Sequence, residues 1–148
     1  MTKQFTKGEF LPLPDGDYLM RMQLETKKGE PAIKEVETSK KNGKMVKCSF
    51  QIMSGDHKGR LIFDQFLVEH ENPKAAEIGN DRLSNYLKAV GVEGGLEGIG
   101  HDRTQLEDYA EMPFIGTLKT EEAREYTATD GTTKTAKAKN KVTAFKAR

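Results

Sequence analysis

Cysteine is almost absent from this chain of 148 residues, since Cys48 is the only one. A single cysteine excludes an intramolecular disulfide and a zinc site built from cysteines, and it fits a reducing cytoplasm, where we expect the protein to act. Long apolar runs are absent too. No stretch approaches the roughly 20 apolar residues that cross a bilayer, and the first ten residues lack the apolar segment of a signal peptide.

Apolar residues are scarce overall, at 35% of the chain against 32% charged residues. Such a composition supports a small core and leaves much of the chain in polar loops or long exposed hairpins. The length is that of one domain. We therefore predict a single domain over residues 1–148, in which residues 1–14 form a flexible N-terminal segment.

The net charge is only +1, yet the charges are unevenly distributed along the chain. Residues 27–60 carry nine Lys or Arg against four Asp or Glu, and residues 112–148 carry eight against four. Between them, residues 61–111 carry four against eleven. Two basic stretches thus flank an acidic one, an asymmetry that can attract an anionic partner. A solvated surface of mixed charge is the alternative.

Alternation of apolar and polar residues predicts the strands. It is clearest in residues 44–53, where Val46, Cys48, Phe50 and Ile52 share one face. Further strands are predicted over residues 18–25, 60–68, 113–121 and 140–147. The Asn-Gly pair at 42–43 and the Asp-Gly pair at 130–131 are typical of hairpin turns, so the two basic stretches are expected to contain long hairpin loops.

A helix is predicted between the third and fourth strands. Asn72 is a suitable N-cap, Pro73 suits the first helical position, and Gly91 can end the helix in a left-handed conformation. The pair at 79–80, Gly-Asn, is expected to weaken its middle. Residues 93–100 are predicted to be a flexible loop, and a short second helix follows with Asp102 as its cap.

The predicted order is therefore strand, strand, strand, helix, strand, strand. This is the chain order of an oligonucleotide/oligosaccharide-binding (OB) fold, so the fold class is mainly β, a five-stranded OB-like barrel. That fold binds oligomers on the face of its second and third strands and with the loops that join strands 1–2 and 4–5. The two basic stretches contain those same two loops, which predicts a nucleic-acid groove.

No motif of the chain indicates catalysis. Residues 55–60, Gly-Asp-His-Lys-Gly-Arg, lack the spacing of a phosphate-binding loop and precede a strand rather than a helix, so they are predicted to be a hairpin turn. The three histidines lie far apart in sequence and form no metal-binding pair. We expect no enzymatic activity, no cofactor and no metal. A metal-dependent nuclease built on the acidic residues remains a remote third hypothesis.

Candidate DNA-binding residues follow from the two basic loops and from the aromatic residues near them. Base-stacking needs an exposed ring. Phe50, Phe63, Phe114 and Tyr18 are predicted to be core. Phe66, whose parity is opposite to that of Phe63, is the first stacking candidate, and Tyr126 in the hairpin between strands four and five is the second. Lysine and arginine side chains would neutralise phosphates. This predicted set is Lys40, Lys41, Lys44 and Lys47 on one side of the groove, Lys58 and Arg60 near its floor, and Lys134, Lys137, Lys139 and Lys141 on the other side.

The sequence resembles a family of small phage-encoded proteins that is catalogued as a domain of unknown function. The resemblance rests on a pattern similar to G-x-x-K-G-R-x-x-F-D-x-F, followed by N-P-K-A-x-x-I-G-x-x-x-L, and it extends over residues 14–146. The matching positions are Gly55, Lys58, Gly59, Arg60, Phe63, Asp64 and Phe66, then Asn72, Pro73, Lys74, Ala75, Ile78, Gly79 and Leu83. It implies a single-stranded-DNA-binding or recombination-accessory role beside phage replication and recombination proteins, and hence a place in the host bacterial cytoplasm. The chain differs from bacterial single-strand-binding proteins in its basic C-terminus, since those proteins end in an acidic, partner-recruiting tail.

Together these features predict a single-stranded-DNA-binding protein with little sequence preference. Its expected partners are single-stranded DNA and, beside it, phage recombinase or replication proteins; a homo-oligomer is compatible with the sequence, and a membrane partner is not expected. The alternative is a protein-interaction accessory module of a phage recombination complex, with little direct DNA binding. In that case the acidic region 69–111 would be the working surface.

Overall fold

The computed structural model describes residues 13–38, 40–121, 124–127, 131, 133–136 and 139–148. Within them lie strands β1 (Gly16–Met22), β2 (Lys34–Glu37), β3 (Gly43–Ile52), β4 (Leu61–His70), β5 (Phe114–Glu121), β6 (Arg124–Thr127), β7 (Thr133–Ala136) and β8 (Lys139–Lys146). Helix α1 (Pro73–Ala89) is followed by a helical turn (Gly95–Gly98) and a 3-10 helix (Arg103–Tyr109). In this described part, no helix has the length and apolar character needed to span a membrane.

Six of the strands form one open antiparallel sheet. Its long strands lie in the order β4–β3–β1–β5–β8. One edge of β3 pairs with β4. The other edge of β3 pairs with β2 in its first half and with β1 in its second half. Strands β6 and β7 form a separate hairpin between β5 and β8. The mainly β fold is confirmed. The closed five-stranded barrel is not, because no ladder joins β4 to β8 in the part of the chain that the structure describes, and β2 adds a sixth strand.

The core lies on one face of this sheet, as strand alternation predicts. Val46, Cys48, Phe50 and Ile52 of β3 are all buried. Register places Phe50 opposite Ile62 of β4. Phe66 and Val68, on the same face of β4 as Ile62, are also buried. Rings of Phe50, Phe66, Tyr86, Phe114 and Phe145 then pack together with centroid separations between 5.2 and 6.1 Å. These mutual edge and tilted contacts fill the interior without tryptophan.

Helix α1 begins and ends as its sequence predicts. The side chain of Asn72 accepts a hydrogen bond from the Lys74 amide, and Pro73 occupies the first turn. Gly91, just after the helix, has a φ of 100°. The Gly-Asn pair predicted to weaken its middle does not interrupt it, because the helix is continuous through Gly79. A Cβ atom on Gly79 would lie 1.8 Å from the carbonyl oxygen of Leu67, so glycine is what lets α1 approach β4 so closely.

Two local predictions need correction. The residues predicted as a loop after α1 contain the helical turn Gly95–Gly98, and the short second helix is a 3-10 helix, although Asp102 caps it by accepting from the Thr104 amide. The hairpin between β2 and β3 exists, but among the described residues of its loop the left-handed one is Lys41 (φ 56°), and Gly43 already belongs to β3. The turn therefore falls earlier than the Asn-Gly pair indicated.

Candidate nucleic-acid interface

A groove of about 740 Å³ runs beside β3 and β4. Odd-numbered residues of these strands, which point away from the core, contribute to it, among them Lys47, Phe63 and Gln65. The first half of α1 contributes further residues, and so do the end of β5 and the start of β8. The groove thus joins segments that are up to about 100 positions apart in the sequence, from Thr38 to Lys141.

Lysines from both basic stretches meet in this groove. Lys47 comes from β3, and Lys139 and Lys141 come from β8. All three side chains are exposed. Lys139 lies 3.6 Å from a carboxylate oxygen of Glu121, a contact between exposed groups that is worth little in water. These lysines are therefore placed to meet an anion in the groove.

The prediction that Phe66 stacks on bases is wrong, because its side chain is fully buried. Phe63, predicted to be core, is instead 75% exposed and lines the groove. The two residues do have opposite orientations, as their spacing requires. Register decides which one is inside: Phe66 pairs with the buried Val46, whereas Phe63 pairs with Ser49. The shared even positions of Ile62, Phe66 and Val68 were the signal that sequence reasoning missed.

Arg82 of α1 connects the two edge strands that border the groove. Its guanidinium donates to the Val142 carbonyl of β8 at 2.8 Å and to the Gln65 carbonyl of β4 at 3.1 Å. It also pairs with the Asp64 carboxylate at 2.7 Å, and its plane lies over the Phe66 ring, 4.9 Å from the centroid. Arg82 thus links β4 and β8, together with the packing of Phe66 against Phe145, where the described residues form no backbone ladder between the two strands.

The remaining predicted cations are divided between the two ends of β3. Lys40, Lys41 and Lys44 are exposed at the β2–β3 turn, where β3 begins. Lys58 and Arg60 lie in the β3–β4 turn, at the opposite end of this ten-residue strand, a separation of about 30 Å. None of these five side chains is among the residues that line the groove. The placement of Lys58 and Arg60 near the floor of a DNA groove stays a prediction.

Tyr126 and Lys134 occupy facing positions across the β6–β7 hairpin. Lys137 lies outside the described residues. The predicted turn is partly described: Gly131 has the positive φ that a tight turn needs, 86°. The hairpin lies in the chain between β5 and β8, which contribute Glu121 and residues 139–141 to the groove.

Several acidic residues outside the groove have structural partners. Arg103 of the 3-10 helix forms ion pairs with Glu35 of β2 and Glu69 of β4. Among the described residues, no group of three His, Cys, Asp or Glu side chains is arranged to hold a metal ion. Glu69 therefore acts here in holding β2, β4 and the 3-10 helix together.

The described chain is thus an open β-sheet protein with a basic groove that contains one exposed aromatic ring. It belongs to the protein family of unknown function DUF669, whose model matches residues 3–112. The match includes β1 to β4, α1 and the 3-10 helix but ends before β5, so Lys139 and Lys141 lie beyond it. No curated protein and no solved structure matches the chain.

Proposed function

We propose that this protein binds single-stranded DNA in the groove beside β3 and β4, as an OB-like accessory protein of a phage replication or recombination system. The observation that carries the proposal is the meeting of Lys47, Lys139 and Lys141 with the exposed ring of Phe63 in one groove. Sequence-independent binding of single-stranded DNA uses two elements: lysines along the DNA backbone and an aromatic ring that stacks on bases.

The arrangement of the sheet supports an OB-like assignment. If β1, β3, β4, β5 and β8 are counted as strands one to five, strand one pairs with two and four, strand two with three, and strand four with five. The helix lies between strands three and four. OB folds are partly open Greek-key barrels that bind oligomers on strands two and three, and the groove is on those strands.

Phe63 gives a direct test, because the chain contains no tryptophan. In the variant Phe63→Trp, the only indole of the protein would stand in the groove. We expect its fluorescence to be quenched on titration with an oligothymidine strand, since a stacked base contacts the ring. Met112→Trp is the matched control, as Met112 is also exposed but does not line the groove. Equal changes in both variants, or none in either, would count against stacking at Phe63.

The affinity itself should divide into two separable parts. Phe63→Ala should weaken binding by roughly 1–3 kcal/mol, the usual contribution of one stacked base. Replacing Lys47, Lys139 and Lys141 together by Ala should make the slope of log affinity against log salt shallower by about 2, since each phosphate contact contributes about 0.7. Lys58→Ala, outside the groove, is the control and should leave the slope unchanged.

Duplex DNA is the third arm of this test. Its bases are already stacked, so Phe63 cannot add its contribution. We expect an oligothymidine to bind more tightly than a duplex of equal length. Equal affinity would leave only an electrostatic surface.

A protein-interaction module is the second candidate function. It is favoured by Ile78, a side chain of α1 that is 65% exposed and lies in the same groove. An apolar side chain in that position suits a protein partner as well as it suits a base. A gel shift with labelled oligonucleotides separates the two: if the wild-type protein binds no strand at low salt, the interaction module replaces the DNA-binding proposal.

A further inference from the structure

His70 is the last residue of β4 and lines the groove. Its Nδ1 atom accepts a hydrogen bond from the backbone amide of Asn72, at 2.9 Å. A ring nitrogen that accepts carries no proton, so the proton of the neutral imidazole is on Nε2. The helix N-cap segment thus fixes His70 in one tautomer, in which Nε2 is a hydrogen-bond donor.

This donor has no partner among the residues that the structure describes. It lies beside the basic turn, because Gly43 is directly opposite His70 in the β3–β4 ladder and the lysines at 40, 41 and 44 flank that position. Phe63 is seven residues away along the strand, which is about 23 Å. The end of the groove at His70 is therefore distinct from the end where a base can stack. The two carboxylates that flank His70 already have partners, since Glu69 pairs with Arg103 and Glu71 accepts from the side chain of Asn42.

We infer that His70 is a phosphate-binding residue, which donates one neutral hydrogen bond from Nε2 to a backbone phosphate oxygen of the strand in the groove. The inference depends on the proposed function, since it assigns a contact within the same complex. It differs from the lysine contacts in one measurable respect. A neutral donor releases no counterion when it meets a phosphate, so it contributes affinity without contributing to the salt slope.

Two substitutions separate this role from the role of His70 at the helix N-terminus. In His70→Asn, the side-chain oxygen takes the position of Nδ1 and can still accept from the Asn72 amide, while the Nε2 donor is lost. In His70→Gln, the amide reaches the position of Nε2 and can still donate, while the acceptor for Asn72 is lost. A purely structural role would be retained by the first variant and damaged by the second.

The experiment measures oligothymidine affinity at several salt concentrations at pH 8, well above the range in which imidazoles gain a proton, together with the thermal midpoint. For His70→Asn we expect about fivefold weaker binding, an unchanged salt slope and an unchanged midpoint. His70→Gln is expected to regain at least half of the affinity that His70→Asn loses, and its thermal midpoint should be lower than that of the wild type. Affinity that is unchanged in His70→Asn, or a slope that becomes shallower, overturns the inference.

An abasic strand of the same length identifies the atom that accepts. The loss for His70→Asn should be the same on this strand as on oligothymidine, because the phosphates are still there. A loss that disappears on the abasic strand would mean that His70 meets a base and would overturn the phosphate assignment. If the wild-type protein binds neither strand, the proposed function fails and the inference fails with it. If the wild type binds and His70→Asn binds with the same affinity, the inference alone fails.

Discussion

Gly79→Ala is a substitution for which helix propensity and packing predict opposite signs. Gly79 lies in the middle of α1, where alanine is favoured over glycine by about 1 kcal/mol. Propensity alone therefore predicts a more stable protein. The added Cβ atom, however, would be 1.8 Å from the Leu67 carbonyl oxygen and 2.6 Å from its carbon, both far inside van der Waals contact.

Packing should decide the sign. The atoms in the way belong to the backbone of β4 and cannot rotate aside, so α1 or β4 must move. Overpacking of this kind costs roughly 1–3 kcal/mol, and we expect the upper end because backbone is involved. After the propensity gain, the net loss is about 2 kcal/mol. For a chain of this length that lowers the thermal midpoint by roughly 4–8 °C.

Thermal unfolding followed by circular dichroism measures this shift. Asn85→Ala is the matched control, since Asn85 is an exposed position of the same helix where only propensity should act, and its midpoint should stay or rise slightly. A midpoint for Gly79→Ala at or above that of the wild type would refute the reasoning, because it would show that α1 does not lie against β4 at the distance described.

Three further outcomes are expected. Arg82→Met leaves the nearly buried Asp64 carboxylate, 9% exposed, without its partner and should lower the free energy of unfolding in urea by about 3 kcal/mol; a loss under 1 kcal/mol would contradict the account of Arg82. The pKa of Asp102 is lowered in the folded protein, above all by a hydrogen bond from the Thr104 hydroxyl. The ionised Asp102 therefore stabilises the folded protein above the unfolded-state pKa of about 3.9, and this stabilisation is lost as pH falls through the lower folded-state pKa. The difference in thermal midpoint between wild type and Asp102→Ser should therefore be larger at pH 6 than at pH 2.5, and a constant difference would exclude this linkage. Burial raises the pKa of the Cys48 thiol, so iodoacetamide should alkylate it slowly in the native protein and rapidly in urea, as followed by mass spectrometry; rapid native labelling would place Cys48 at the surface.

Local patterns along the sequence determined the elements of this protein. Alternation placed Val46, Cys48, Phe50 and Ile52 on the buried face of β3, because successive side chains of a strand point to opposite sides whatever the strand pairs with. The start of α1 was also predictable, since Asn72 and Pro73 satisfy and shape its first turn through neighbouring atoms only. The order of the five predicted strands and of α1 followed from these elements, whereas β2, β6 and β7 lie in stretches that were predicted only as hairpin loops.

The tertiary structure decided which side chains meet and which face of an ambiguous strand turns inward. β4 has apolar residues at both parities, so only its register against β3 could bury Phe66 and expose Phe63. The groove likewise depends on contacts between distant segments. Lys47, Lys139 and Lys141 line the same groove, α1 approaches β4 at Gly79, and Arg82 and the packing of Phe66 against Phe145 link β4 to β8. Such contacts depend on pairing and packing in three dimensions, which spacing along one chain does not encode.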